Sequence, residues 1–142
     1  MNRALFSSAS VEWATPQSIY EKLHREFWFD FDPCPLGGSE DGRASLFCHW
    51  TGKRVFVNPP YDDIAAFLKR WREPDLAVYL IPARTDTRWF HSLVIPHASE
   101  IRFIKGRLRF GGSKNSAPFP SMLVIYRNPY MGGYPLVRSM DA

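Results

Sequence analysis

The chain has 142 residues, 45% hydrophobic, 23% charged and 15% aromatic, with a formal net charge of +4. This is the size of one domain and the balance of an ordinary globular protein, which excludes global disorder and a coiled coil. No apolar run reaches the ~18–20 residues of a membrane helix, and Met1 to Ser10 lack the basic start and apolar centre of a signal peptide, so a soluble cytoplasmic protein is expected.

In chain order, Thr15-Pro16 reads as a helix N-cap followed by the first helical residue. Ile19, Leu23 and Phe27, spaced by four, form the stripe that helix would bury. Phe27 to Phe31 reads as a short strand ending at Asp32-Pro33, and the Gly- and Pro-rich stretch from Cys34 to Arg43 reads as loop. Arg54 to Val57 is a buried strand that stops at Asn58-Pro59-Pro60-Tyr61, because proline cannot continue a central strand. Asp62 then caps a helix with apolar positions Ile64, Phe67, Leu68 and Trp71, at i, i+3, i+4 and i+7. Leu76 to Ile81 is a strand closed by Pro82, and Thr85 to Val94 a short helix. Ile101 to Phe110 is strand-like with a break at Gly106, and Met122 to Tyr126 is a last strand. The alternation predicts an α/β fold with a mixed sheet, the final two strands forming an antiparallel C-terminal pair at one end.

Charge divides the chain. Residues 1–75 carry 9 Lys+Arg and 11 Asp+Glu, a net of −2, whereas residues 76–142 carry 9 and 3, a net of +6. Of the 18 basic residues 13 are Arg, the side chain suited to bidentate phosphate contact and stacking. The basic half therefore points to a polyanion, with nucleic acid the leading candidate and a solvated basic surface the plain alternative. Lys105, Arg107 and Arg109 share one parity and would form a phosphate-contacting ribbon on one strand face. Arg84 and Arg88 could contact the DNA backbone, or pair with Asp86 and cap neighbouring carbonyls. The long polar stretch from Gly111 to Ser121, with Lys114, suits a DNA-contacting loop. Trp50, Trp71 and Trp89 read as core, whereas Trp13 stands beside Thr15-Pro16. The two cysteines, Cys34 and Cys48, are expected as small buried or half-buried thiols. With His49 they lack zinc spacing, so no metal is expected.

The sharpest motif is Asn58-Pro59-Pro60-Tyr61. The Asn58 side-chain oxygen and the Pro59 carbonyl are hydrogen-bond acceptors, and two successive prolines make this backbone stiff and free of N–H donors. Two convergent acceptors can hold one planar amino group, and the Tyr61 ring can stack on the heterocycle that carries it. The exocyclic amine of adenine is a poor nucleophile because its lone pair is delocalised. Accepting both its protons localises that pair and stabilises the positive charge that develops as a methyl group arrives. A base within a duplex must be flipped out to reach such a pocket.

Around this motif the sequence resembles the phage-type, Dam-like DNA adenine-N6 methyltransferases, from about Trp13 to Tyr126. The matching pieces are Trp13-Ala14-Thr15-Pro16, Phe31-Asp32-Pro33-Cys34, Asp41-Gly42 with Trp50, and Val55 to Tyr61. They continue with Ile81-Pro82-Ala83-Arg84-Thr85, Trp89-Phe90, Gly106 to Phe110 and Pro118-Phe119. The resemblance implies a Rossmann-like methyltransferase fold, S-adenosylmethionine as cofactor, and a phage or prophage product acting in a bacterial host. It implies that Trp13, Thr15 and Pro16 belong to the segment that closes over the cofactor. Asp32 and Pro33 correspond to the acid-Pro element beside the methionine part, Asp41 to the cofactor side of the pocket, and Asn58 to Tyr61 to the catalytic loop. The chain departs from many methyltransferases in having Cys34-Pro35-Leu36-Gly37-Gly38 in place of a Gly-x-Gly turn. Only about 20 residues separate the two motif strands, fewer than a βαβ crossover needs. The implied fold is therefore a reduced one, with Asp41 or Glu40 open as the acid for the cofactor ribose.

The reading is one methyltransferase domain over residues 1–142, without a separate target-recognition domain, that methylates N6 of a flipped adenine in DNA. The alternatives are a non-catalytic nucleic-acid-binding protein that keeps a methyltransferase-like fold, and methylation of an amine on RNA or a small molecule. Monomer and homodimer both stay open.

Overall fold

Ile19, Leu23 and Phe27 do form one buried stripe, on helix α1 (Gln17–Phe27). The computed structural model describes residues 14–33, 48–110 and 115–142; Trp13, Cys34, Glu40, Asp41 and Lys114 lie outside these. The helix begins one residue later than expected. Pro16, not Thr15, is the N-cap residue, and no side chain caps the first turn. It ends at Trp28, which takes a left-handed conformation (φ 54°) and stands exposed. The predicted strand from Phe27 to Phe31 therefore shrinks to a single parallel bridge, Phe31 to Val55.

Among the described residues five strands make one mixed sheet: β1 (Arg54–Val57), β2 (Leu76–Pro82), β3 (Glu100–Ile104), β4 (Ser121–Arg127) and β5 (Leu136–Met140), in the spatial order β1-β2-β4-β3-β5. β1 and β2 are parallel, β4 runs antiparallel to both β2 and β3, and β5 is parallel to β3. The expected antiparallel pair exists as β3 and β4, but it does not close the sheet. β4 inserts between β2 and β3, and the final strand β5, absent from the sequence reading, lies outside β3. Its residues Leu136 to Ser139 are exposed, so it lacks the apolar alternation that announces a strand.

Each face of the sheet carries its own core. Leu76, Val78 and Leu80 of β2 and Leu123 and Ile125 of β4 pack with α1. Ala77, Tyr79 and Ile81, with Met122, Val124 and Tyr126, pack with Ile64, Phe67 and Leu68 of the short helix α2 (Ile64–Leu68) and with Phe90 and Val94. This period-two division of fully buried strands between two helical layers is the α/β sandwich that the sequence alternation predicts. α2 is shorter than its stripe, since Trp71 lies beyond its end, yet all four apolar positions are buried. Asp63 precedes α2 in place of Asp62 and makes no side-chain cap bond. The expected helix from Thr85 to Val94 starts later: residues 85–87 form a turn, and residues 88–94 are helical, with the π-helical segment over Phe90–Val94. Trp50 and Trp71 are core residues, Trp89 packs against that core, and Cys48 is exposed, contrary to the expectation of a buried or half-buried thiol.

Candidate active site

Proline placement and parallel pairing together build one polar rim. β1 and β2 run the same way, and the Phe31 bridge runs parallel to β1. The three chain segments therefore leave the sheet on the same side: Asp32-Pro33, Asn58-Pro59-Pro60-Tyr61 and Ala83-Arg84. With neighbouring strands about 4.8 Å apart, they stand in a row of about 10 Å. The backbone fixes the row: the Phe56 amide donates to the Phe31 carbonyl at 3.1 Å, and the Ala83 amide donates to the Pro120 carbonyl at 2.9 Å.

Asn58 stands at the centre. Its side-chain Nδ2 donates to Thr15 Oγ1 at 3.0 Å, joining two predicted site residues 43 positions apart. Its Oδ1 is buried. Pro59 and Pro60, which follow it, are buried. Asp32 is half-buried, and its charge reaches the Tyr20 phenol. Burial first, and then the Asp32 carboxylate, raise the Tyr20 phenol above its ordinary range. Tyr20 sits edge-on to Phe56 of β1, with ring centroids 5.2 Å apart. Nothing in the sequence singles out Tyr20, because its place beside Asp32 depends on how α1 crosses the sheet.

Tyr61 does not lie open on the rim. It is 7% exposed, with Phe119 edge-on at 5.5 Å and Phe110 edge-on at 6.3 Å. Burial pushes the Tyr61 phenol far up and nearby Arg84 pulls it partly back, so the hydroxyl stays protonated at working pH. Among the described residues, Tyr61 Oη and Ser121 Oγ are buried without a hydrogen-bond partner. Ser121 starts β4 directly beside Pro82, so both hydroxyls belong to this end of the sheet. A buried hydroxyl left unpaired costs about 1–3 kcal/mol, which a bound polar group would offset. The sequence does not single out Phe110, Phe119 or Ser121 as lining this site. For Phe110 a signal exists in its alternation with exposed Arg109.

The basic residues occupy the same end. Arg84 and Arg88 follow β2 and are exposed. Lys105, Arg107 and Arg109 do not form a ribbon on a strand, because β3 ends at Ile104 and Gly106 takes φ 76°. The parity survives in the connection beyond it: Lys105, Arg107 and Arg109 are exposed, while Leu108 and Phe110 turn inward. Among the described residues no cluster of His, Cys, Asp and Glu could hold a metal, and no helix is long and apolar enough to cross a membrane.

A mixed α/β sheet with a proline-stiffened Asn-Pro-Pro-Tyr loop between an acidic and a basic flank defines a class, and comparison with known proteins supplies its family. Residues 5–137 match the family described as DNA N-6-adenine-methyltransferase (Dam). The chain belongs to that family. It is similar to the DNA N-6-adenine-methyltransferase of Haemophilus phage HP1 (strain HP1c1), 26% identical over 140 residues that cover 83% of this chain and 80% of the relative. No solved structure matches it significantly.

Proposed function

We propose that this protein methylates N6 of adenine in DNA with S-adenosylmethionine as donor, on a reduced Rossmann-like fold and with the base turned out of the helix. The observation that carries this reading is the rim itself, with Asn58-Pro59-Pro60-Tyr61 held between Asp32 and the exposed arginines. Asn58 Oδ1 and the Pro59 carbonyl accept the two amine protons, which localises the nitrogen lone pair and stabilises the charge that develops on the amine. No side-chain base is needed, because the proton leaves after transfer. Tyr61 and its ring neighbours form the apolar wall for the base.

The residues on the acidic flank suit the cofactor. Asp32 offers a carboxylate to a cationic ligand, the half-buried Tyr20 ring lies beside it, and Thr15-Pro16 closes on Asn58. Thr15, Pro16, Asp32 and Pro33 would hold S-adenosylmethionine, with Trp13 and Asp41 completing the set expected from the sequence. When bound it supplies an electrophilic methyl group. On the other flank Arg84, Arg88, Lys105, Arg107 and Arg109 contact DNA phosphates, and their surplus charge draws the duplex to this rim. Lys114 extends that set.

Two measurements test the reading. Titration calorimetry is expected to give micromolar binding of S-adenosylmethionine that Asp32→Ala abolishes. Mass spectrometry of digested DNA is expected to show N6-methyladenine after incubation with protein and cofactor, formed about 100- to 1,000-fold more slowly with Asn58→Ala. A folded protein that binds DNA, binds no cofactor and forms no N6-methyladenine would instead be a nucleic-acid-binding relative.

A further inference from the structure

An asparagine can serve as acceptor to an amine only if its amide is turned the right way. Its Oδ1 must face the substrate and its Nδ2 must face away; a 180° flip presents two donors to two donors. A carboxylate in the same place would have no such problem. Something must therefore select the amide orientation of Asn58, and a contact suited to it is present: Nδ2 donates to Thr15 Oγ1 at 3.0 Å.

The position of Thr15 makes this contact more than incidental. A threonine immediately before a helix usually spends its hydroxyl on the first-turn amides. Here the helix begins after Pro16, no side chain caps it, and the first intrahelical bond runs from the Tyr20 amide to the Pro16 carbonyl. The Thr15 hydroxyl is turned instead onto a residue at the end of β1.

Resting on the proposed amine methylation, we infer that Thr15 is a positioning residue: by accepting from Nδ2 it fixes the Asn58 amide with Oδ1 toward the target amine. The hydroxyl then contributes to the rate on bound substrate, while the Thr15 backbone and methyl group, which Thr15→Val keeps, serve the donor pocket.

The test compares wild type, Thr15→Val and Thr15→Ser for kcat and for donor KM, with the Asn58 side-chain amide followed by 15N NMR and assigned by its loss in Asn58→Asp. Thr15→Val keeps the shape and removes the acceptor. It is expected to lower kcat by about 10- to 100-fold, less than the ~100- to 1,000-fold for losing a preorganised hydrogen-bonding group outright. Donor KM should stay within a few-fold, and the Asn58 amide signals should shift. Thr15→Ser should recover most of the rate. In an Asn58→Asp background, where either oxygen accepts, Thr15→Val should cost several-fold less. The inference is overturned if Thr15→Val keeps wild-type kcat, if its loss lies wholly in donor KM, if serine is as poor as valine, or if the loss is equal in both backgrounds. A wild type that makes no methyladenine overturns the proposed function itself, and this inference with it.

Discussion

Asn58 and Tyr61 belong to one tetrapeptide, yet they occupy opposite kinds of environment. Asn58 is half-buried and bonded to Thr15, whereas Tyr61 is packed among Phe110 and Phe119. Different substitutions should therefore report on different things. In the proposed reaction Asn58→Ala removes one of two amine acceptors, and kcat should fall about 100- to 1,000-fold with calorimetric donor affinity little changed. Tyr61→Phe deletes a buried hydroxyl that lacks a partner among the described residues. Its urea midpoint should equal or exceed that of wild type, since no hydrogen bond is lost and the desolvation cost disappears. Tyr61→Ala empties a core position, so it should cost about 3–5 kcal/mol of stability in the same experiment. A Tyr61→Phe protein that unfolds at clearly lower urea would show that the hydroxyl has a partner.

Among elements, α1 is tied to the sheet by charge as well as by its apolar stripe. Arg102 of β3 donates from Nη1 and Nη2 to Glu26 of α1 at 2.8 and 2.6 Å, and from Nε to buried Glu100 at 2.6 Å. Arg127 and Arg138 approach Glu100 at 3.4 Å. The hydrogen bond from Arg102 holds the Glu26 carboxyl below the usual carboxylate range. A depressed carboxylate contributes stability that is full above its unfolded value of about 4.3 and is lost as pH falls through the folded value. Glu26→Gln should therefore be less stable than wild type at neutral pH, and the gap should close on acidification toward about pH 3, as thermal melts at several pH values would read. Glu26 is 44% exposed on its side chain, so this gap is small. Arg102→Met is the harsher change, because it leaves Glu100 buried without its nearest cation; about 3 kcal/mol of stability should be lost. The connection after β3 makes a separate prediction. Arg107 and Arg109 point outward on a segment whose intervening Leu108 is buried. If both contact phosphate, replacing both with Ala should weaken DNA binding at all sequences and reduce the slope of log affinity against log salt by about 2. An unchanged slope would remove them from the DNA surface.

Over the whole molecule, local pattern and long-range pairing made unequal contributions. The sequence alone determined the α/β class, the buried stripe of α1, the fully buried β2 and the strand end at Asn58-Pro59. Each follows from periodicity or from the missing N–H of proline, which act over a few residues whatever the rest of the chain does. It also determined that the basic residues follow β2 and β3. Tertiary structure decided the insertion of β4 between β2 and β3, and it recruited exposed β5 as a strand. It also buried Tyr61 under rings from the β3–β4 connection. It turned the Thr15 hydroxyl away from its own helix to Asn58, 43 residues on, and joined Glu26 to Arg102 across 76 residues. Those outcomes depend on which surfaces meet once two cores form on opposite faces of one sheet. A side chain that serves a distant partner leaves no trace in the spacing of its neighbours, so these contacts could be read only from the assembled fold.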